Sequence, residues 1–488
     1  MSLKNQILLI IAAALLAACG RTATVTQIDI IPEPVFQVQK EGSYTLNRDI
    51  AVATSGLGQN SPTAKYIMNS LRHAHMRPSL VAQSEVSDLD LILNDTINPE
   101  LGEEGYLLEV RQTGICLSAN TEVGLFYAYQ TFIQIIPSDV LEHTYSSITL
   151  PECTILDYPR FAWRGAHLDC RSQHFSVKFI KKYLDLMANF KLNRFHWQLP
   201  EHTLPGQQGD STAETIDSTD TEEDDTEYYT DEEVAEVVAY AAALGIEVVP
   251  AEGMTLVWDN EAAESTPKDS TMHIVLARTS LQAGQNAARA GKLVVMCPDE
   301  YCRLDYYQAD PRYQPLANAG LITLAKAYEF DPAPHGTNKY VEQSTLGGQC
   351  NLWTENLENT TEVEYMLLPR LLAMSECLWS PRENKNWSHF RKKVELLKMR
   401  LDNKGYSYCE GSFTPLFRAS RVDDRTMNIA IETEVPNTYI FYTTDSTTPT
   451  RRSQVYLGPI NLKRGTHIKI LPVYKDQERD SVYEFIIK

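Results

Sequence analysis

Apolar and polar positions alternate in blocks along this chain, and the period of the blocks changes from region to region. Leu89–Leu93 is an apolar run that reads as a strand. Tyr106–Val110 and Ile115–Ser118 flank Gln112-Thr113-Gly114, a hairpin signal. Glu122–Ile135 has apolar residues at helical spacing. From about Ile28 to Asp157 the pattern predicts a small α+β domain without a catalytic cluster. From about Arg160 to Leu401 strands and helices alternate. Trp163–Cys170 reads as a strand. Ser176 is placed to cap a helix running to Lys191, with Phe179, Ile180, Tyr183, Leu184, Met187 and Phe190 on one stripe. Asn193–Leu199 is the next strand, and Thr230-Asp231-Glu232-Glu233 is a capping box for a helix to Ala243. Ser280–Ala290 is helical, Lys292–Cys297 a strand, and Thr361–Leu378 a helix that Pro369 should kink. Beyond about Tyr408 short β-rich runs stand between turn residues: Tyr439–Thr443, Val455–Leu457, Ile468–Tyr474 and Tyr483–Ile487. They predict a β-sandwich.

One stretch breaks the rhythm. Ile246–Val249 and Thr255–Trp258 both read as strands, and carboxylates follow closely, Glu252 and Asp259. Strands of a parallel sheet need a crossover of roughly a dozen residues or more. Only Pro250–Met254 lie between these two.

The 488 residues allow about three domains. The net charge of −20 argues against nucleic acid as a partner. Gly209–Glu227 is an acidic run with almost no apolar residues and reads as a solvated loop. At the start, Lys4 precedes the apolar run Ile7–Ala18, which is too short to span a bilayer. It ends in Leu16-Ala17-Ala18-Cys19-Gly20, which resembles a bacterial lipobox. That implies an exported, membrane-anchored lipoprotein, held by acylated Cys19 in the periplasm or at the outer membrane or cell surface. The other eight cysteines form no Cys-x-x-Cys pair, so no metal site is expected, and no cofactor motif is evident. Cys170, Cys350 and Cys377 read as buried thiols.

Aromatic residues and carboxylates recur together at expected strand ends: Val257-Trp258-Asp259, Arg303-Leu304-Asp305-Tyr306-Tyr307 and Leu352-Trp353-Thr354-Glu355. Strand C-termini form the active face of an α/β barrel. Singly, each tryptophan reads as core. Three such clusters together suit a sugar, whose C–H face stacks on a ring while its hydroxyls donate to acids.

At these residues the chain resembles glycoside hydrolase family 20, the β-N-acetylhexosaminidases. Trp163-Arg164-Gly165-Ala166-His167-Leu168-Asp169 resembles the family's opening barrel strand and Asn193-Arg194-Phe195-His196-Trp197 its second. The segment from Leu346 through Glu355 resembles its last, and Tyr365–Pro381 the helix after it. The resemblance implies terminal N-acetylhexosamine (GlcNAc or GalNAc) of glycans as substrate. It also implies substrate-assisted retaining hydrolysis, in which the acetamido oxygen attacks the anomeric carbon. An Asp holds the acetamido group, the adjacent Glu protonates the leaving oxygen, and both end a strand in Gly-Gly-Asp-Glu.

That motif is missing. In the family, a long segment containing it separates the strands that resemble Ile246–Pro250 and Thr255–Trp258. On the order of a hundred residues are expected to be lost, leaving the barrel short of strands. Arg171 is displaced within Asp169-Cys170-Arg171-Ser172-Gln173-His174-Phe175, and Pro200-Glu201-His202 replace a pair of aspartates. Arg303-Leu304-Asp305 replaces Tyr-x-Asp, and residues near Ala277 and Arg278 stand where a tryptophan is expected. The resemblance leaves Trp258, Asp305, Trp353, Glu355 and the displaced Arg171 as substrate-binding candidates. Glu252, Asp259 and Glu201 are candidate replacement acids.

The expected fold class is therefore α/β. A lipoprotein signal occupies 1–19, an N-terminal α+β domain 25–157, an incomplete TIM-type (β/α) barrel 158–405, and a C-terminal β-sandwich 409–488. The expected function is that of a hexosaminidase-family glycosidase with impaired or lost catalysis. The alternatives are a non-catalytic glycan-binding surface lipoprotein and a decayed, poorly folding product.

Overall fold

The computed structural model describes residues 22–200, 229–260, 272–474 and 482–487, apart from single positions 59, 84, 144 and 252. Cys19, Glu201, Glu252 and the acidic run Gly209–Glu227 lie outside the described residues.

The central sheet has seven strands: β1 (Trp163–Asp169), β2 (Arg194–Gln198), β3 (Glu247–Val249), β4 (Met254–Trp258), β5 (Met272–Ala277), β6 (Leu293–Met296) and β7 (Thr345–Leu352). Every ladder in it is parallel, and the spatial order is β3-β2-β1-β7-β6-β5-β4. This is a ring that runs from β1 in both directions and stops at β3 and β4. Those two strands are consecutive in sequence, yet they end opposite edges of the sheet, and among the described residues no ladder joins them. The expected incomplete barrel is thus the fold found, and its seam lies where the short joint falls in the sequence.

Local chemistry explains the elements. All seven residues of β1 are buried, as befits a parallel strand covered on both faces. On β7, Gly347 has φ +148°, and a Cβ there would stand 2.0 Å from the Trp163 carbonyl oxygen, so this close approach needs glycine. Helix α1 (Val177–Asn189) starts where the Ser176 side chain accepts the Phe179 N–H, and it buries the predicted stripe. Helix α2 (Asp231–Ala243) opens with the Thr230–Glu233 capping box, and α3 (Leu281–Arg289) packs against β5 and β6. The single helix expected around Pro369 is two, α4 (Thr360–Leu367) and α5 (Arg370–Trp379), because proline offers no N–H to continue the ladder. All ten residues of α5 are buried.

An eight-stranded mixed sheet forms the N-terminal domain. Its helix Glu122–Ile135 contributes Tyr127, which meets α5 at Trp379 with ring centroids 5.2 Å apart. The C-terminal domain has a three-stranded and a four-stranded antiparallel sheet. Ile429, Ile431, Ile440, Tyr442, Ile468 and Ile470 form its core, separate from that of the rest of the molecule. This is the expected sandwich. All eight described cysteines are free, and Cys170, Cys350 and Cys377 are buried.

Candidate functional site

Side chains alternate along a strand, so His167 and Asp169 on β1 share a face, as do His196 and Gln198 on β2 and Gln349 and Asn351 on β7. These positions converge inside the barrel. The Gln349 amide nitrogen donates to His196 Nδ1 at 3.1 Å and to Asn351 Oδ1 at 2.9 Å. His167 Nε2 and Gln198 Oε1 are 2.8 Å apart, and the two imidazoles stand 4.8 Å centroid to centroid. Burial pushes His167 down to about 4, against the opposing pull of Gln198. Burial also holds His196 well below the usual histidine range, with His167 adding to the effect. Both rings are therefore neutral at pH 7. His167 Nδ1, Gln349 Oε1 and Asn351 Nδ2 are buried without a hydrogen-bond partner.

Above this layer lie the two tryptophans at the strand ends. Trp258 and Trp353 are 6.0 Å apart, and Trp258 stacks on His196 at 5.9 Å. Two guanidinium groups cover the pair. Arg278 lies 5.7 Å from the Trp258 ring and 5.5 Å from Trp353, while Arg303 lies 4.8 Å from Trp353. Trp353 is only 7% exposed, whereas Trp258 is half-buried.

Four of the carboxylates near the tryptophans, Asp169, Asp259, Asp299 and Asp305, already have donors. Arg303 Nε reaches both oxygens of buried Asp305, at 3.1 and 3.2 Å, and the Asn318 amide donates to it at 2.5 Å. Asp299 faces Arg278 at 3.7 Å and Arg303 at 3.5 Å. Burial still pushes the Asp299 carboxyl up. Asp259 accepts the Thr279 backbone N–H at 3.0 Å and its hydroxyl at 2.5 Å, and its other oxygen is buried without a partner. Arg171 turns back on its own strand: its Nε and Nη2 bind the two oxygens of Asp169, both at 2.9 Å. Glu355 is exposed.

The structure thus brings Trp258, Asp259, Asp305 and Trp353 to one end of the barrel. Arg171 stands beside them, tied to Asp169, whose carbonyl accepts the Thr354 hydroxyl at 2.8 Å. Arg278 and Arg303 as covers of the tryptophans were missed from sequence, as was the polar layer of His167, His196, Gln349 and Asn351. The alternation of these polar residues along β1, β2 and β7 was the available signal. Among the described residues no group of three His, Cys, Asp or Glu could hold a metal. No described helix is long and apolar enough to cross a membrane.

Three family models match the chain. "Glycosyl hydrolase family 20, domain 2" matches residues 27–158. "Glycosyl hydrolase family 20, catalytic domain" matches in two pieces, 161–255 and 251–382, which meet at the seam. "Fn3 associated" matches 429–487. A β-hexosaminidase of Porphyromonas gingivalis is 26% identical over 94% of this chain and 75% of its own length. That alignment spans 597 positions against a chain of 488 residues, so at least 109 positions, the difference, are filled by the relative alone. A β-hexosaminidase of Vibrio furnissii is 23% identical over 71% of this chain and 76% of its own length. Among solved structures, an N-acetyl-β-hexosaminidase of Streptomyces plicatus shares the fold. Its TM-score is 0.65 at 20% identity, over 79% of this chain and 97% of that one.

Proposed function

The chain belongs to glycosyl hydrolase family 20, and from that premise we propose that its barrel face recognises terminal N-acetylhexosamine residues of glycans while hydrolysis is impaired or lost. One observation carries this reading. The catalytic-domain match breaks at 251–255, and β3 and β4 end the sheet on either side of that joint. The strand ending in the family's Asp-Glu pair would stand there, and the chain reads Pro250-Ala251-Glu252-Gly253 instead. Without the Glu, the leaving oxygen has no dedicated proton donor. Without the Asp, the acetamido oxygen has no partner to orient it. General acid catalysis alone is worth roughly 10²–10⁴-fold. Asp259 is held by Thr279 beside the tryptophans, and Asp299 and Asp305 are held by arginines, so none of them is set up as that donor. What supports retained recognition is half-buried Trp258 and exposed Glu355 at the same strand ends.

The lipobox-like Leu16–Cys19 supports export and anchoring to a membrane through acylated Cys19. Cys19→Ala is expected to move the protein out of the membrane fraction. The test of the main reading is hydrolysis of a chromogenic N-acetylglucosaminide by the purified chain. Turnover far below the ordinary enzyme range of about 1–10³ per second is expected, and turnover within that range overturns the loss of catalysis.

A further inference from the structure

A second cleft, about 230 Å³, lies where the barrel domain meets the C-terminal sandwich and shares no lining residue with the tryptophan pair. Separate parts of the chain line it. Gln314 comes from the loop after Tyr306–Tyr307, Tyr365 from α4, Tyr408, Glu410 and Phe413 from the linker, and Tyr483 from the last strand. The four aromatic side chains are all half-buried.

One polar group there lacks a partner. Gln314 Oε1 accepts the Gln308 backbone N–H at 3.0 Å, which fixes the orientation of its amide. Its Nε2 is then out of solvent with nothing to donate to. An unmade buried hydrogen bond costs about 1–3 kcal/mol, so this group favours an incoming acceptor. Glu410, exposed at the cleft, has one oxygen on Lys398 Nζ at 2.9 Å, which balances its charge and leaves its second oxygen as an acceptor.

From these features we propose that this junction cleft is a second saccharide site, taking one neutral sugar ring. The ring's C–H face packs on the aromatic side chains, one of its oxygens accepts from Gln314, and a hydroxyl donates to Glu410. The volume lies below the roughly 300–1,000 Å³ of sites for larger ligands, so it suits a single ring. The two lining carboxylates, Glu410 paired with Lys398 and Asp310 paired with Arg312, disfavour an acidic sugar by repulsion and give a cationic one no unpaired charge. The site is separate from the barrel face and does not depend on catalysis.

The full chain is titrated with N-acetylglucosamine and with glucose, followed by calorimetry and by saturation-transfer NMR. Junction binding is expected to weaken at least tenfold in both Tyr483→Ala and Gln314→Leu, and Tyr483→Phe is expected to retain it. Thermal unfolding checks that each variant is folded. Trp258→Ala reports on the barrel face alone. If the junction variants lose a binding event that Trp258→Ala leaves intact, the junction site stands, whatever becomes of the barrel reading. If every binding event survives Tyr483→Ala and Gln314→Leu, or if Trp258→Ala abolishes them all, or if neither sugar binds, the proposal is overturned.

Discussion

The two ends of the barrel both bury charged side chains, but they treat them differently. At the N-terminal ends of β1 and β2 the fully buried cations Arg164 and Lys191 are each matched by a carboxylate, while Arg160 Nη1 and Trp163 Nε1 are left without a hydrogen-bond partner. Arg164 is fully buried and donates to the Lys191 carbonyl at 2.7 Å, the Phe161 carbonyl at 2.8 Å and both oxygens of Glu104 at 2.6 and 2.9 Å. Lys191 donates to Asp157 at 2.8 Å and to the Tyr106 hydroxyl at 2.7 Å, and the Trp379 indole completes Asp157 at 2.9 Å. These contacts join the N-terminal domain to the barrel floor. At the C-terminal ends, Asp259, Asp299, His167 and Asn351 each keep a buried atom without a partner. In α/β barrels the strand C-termini carry chemistry and the opposite end carries stability. Beside the open seam, the floor is thus held by paired charges, while at the opposite end Asp259 and Asp299 each keep an unused carboxylate oxygen.

The contrast breaks most sharply at the floor. Asp157→Ala leaves Lys191 buried and unpaired, and is expected to cost about 3–5 kcal/mol in urea unfolding. Asp259→Ala, at the other end, removes hydrogen bonds to Thr279 and is expected to cost about 0.5–1.5 kcal/mol by the same measurement. Equal losses would dissolve the comparison.

The histidine layer comes next. In the folded chain burial holds His167 at about 4, while an unfolded histidine titrates near 6.5. Between those values the unfolded state binds more protons, so stability falls as pH falls. The loss from pH 7 to pH 4 is expected to be about 3 kcal/mol. His167→Gln should remove that share of the dependence and leave the part of the same sign carried by buried His196, as read from unfolding midpoints across the window.

Arg278 tests the covered tryptophans. Arg278→Ala removes a cation–π contact worth about 0.5–1 kcal/mol and uncovers both rings. It is expected to tighten N-acetylglucosamine binding several-fold by calorimetry, and Trp258→Ala should abolish that gain. Trp353→Ala is a poor probe of binding, because truncating a ring that is only 7% exposed mainly destabilises the core. The smallest effect is expected for Asp259→Asn on residual hydrolysis of a chromogenic N-acetylglucosaminide, a change within about twofold. A loss of 10²-fold or more would make Asp259 the missing proton donor.

Much of this molecule was determined by local pattern. The strand–helix alternation, the Ser176 and Thr230 caps, the interruption at Pro369 and the joint after Val249 all follow from periodicity, backbone chemistry and spacing between neighbours in sequence. Even the barrel's shortage of strands was legible, because a crossover cannot fit into Pro250–Met254. Tertiary structure alone decided what meets what. It put β3 and β4 at opposite edges of one sheet and laid Arg278, twenty residues after Trp258, across Trp258 and Trp353. It also brought the Thr354 hydroxyl to the Asp169 carbonyl and left one oxygen of Asp259 without a partner. Those outcomes depend on cross-strand register and on the competition of several donors for one buried acceptor, which involve residues far apart in the chain and leave no periodic trace along it.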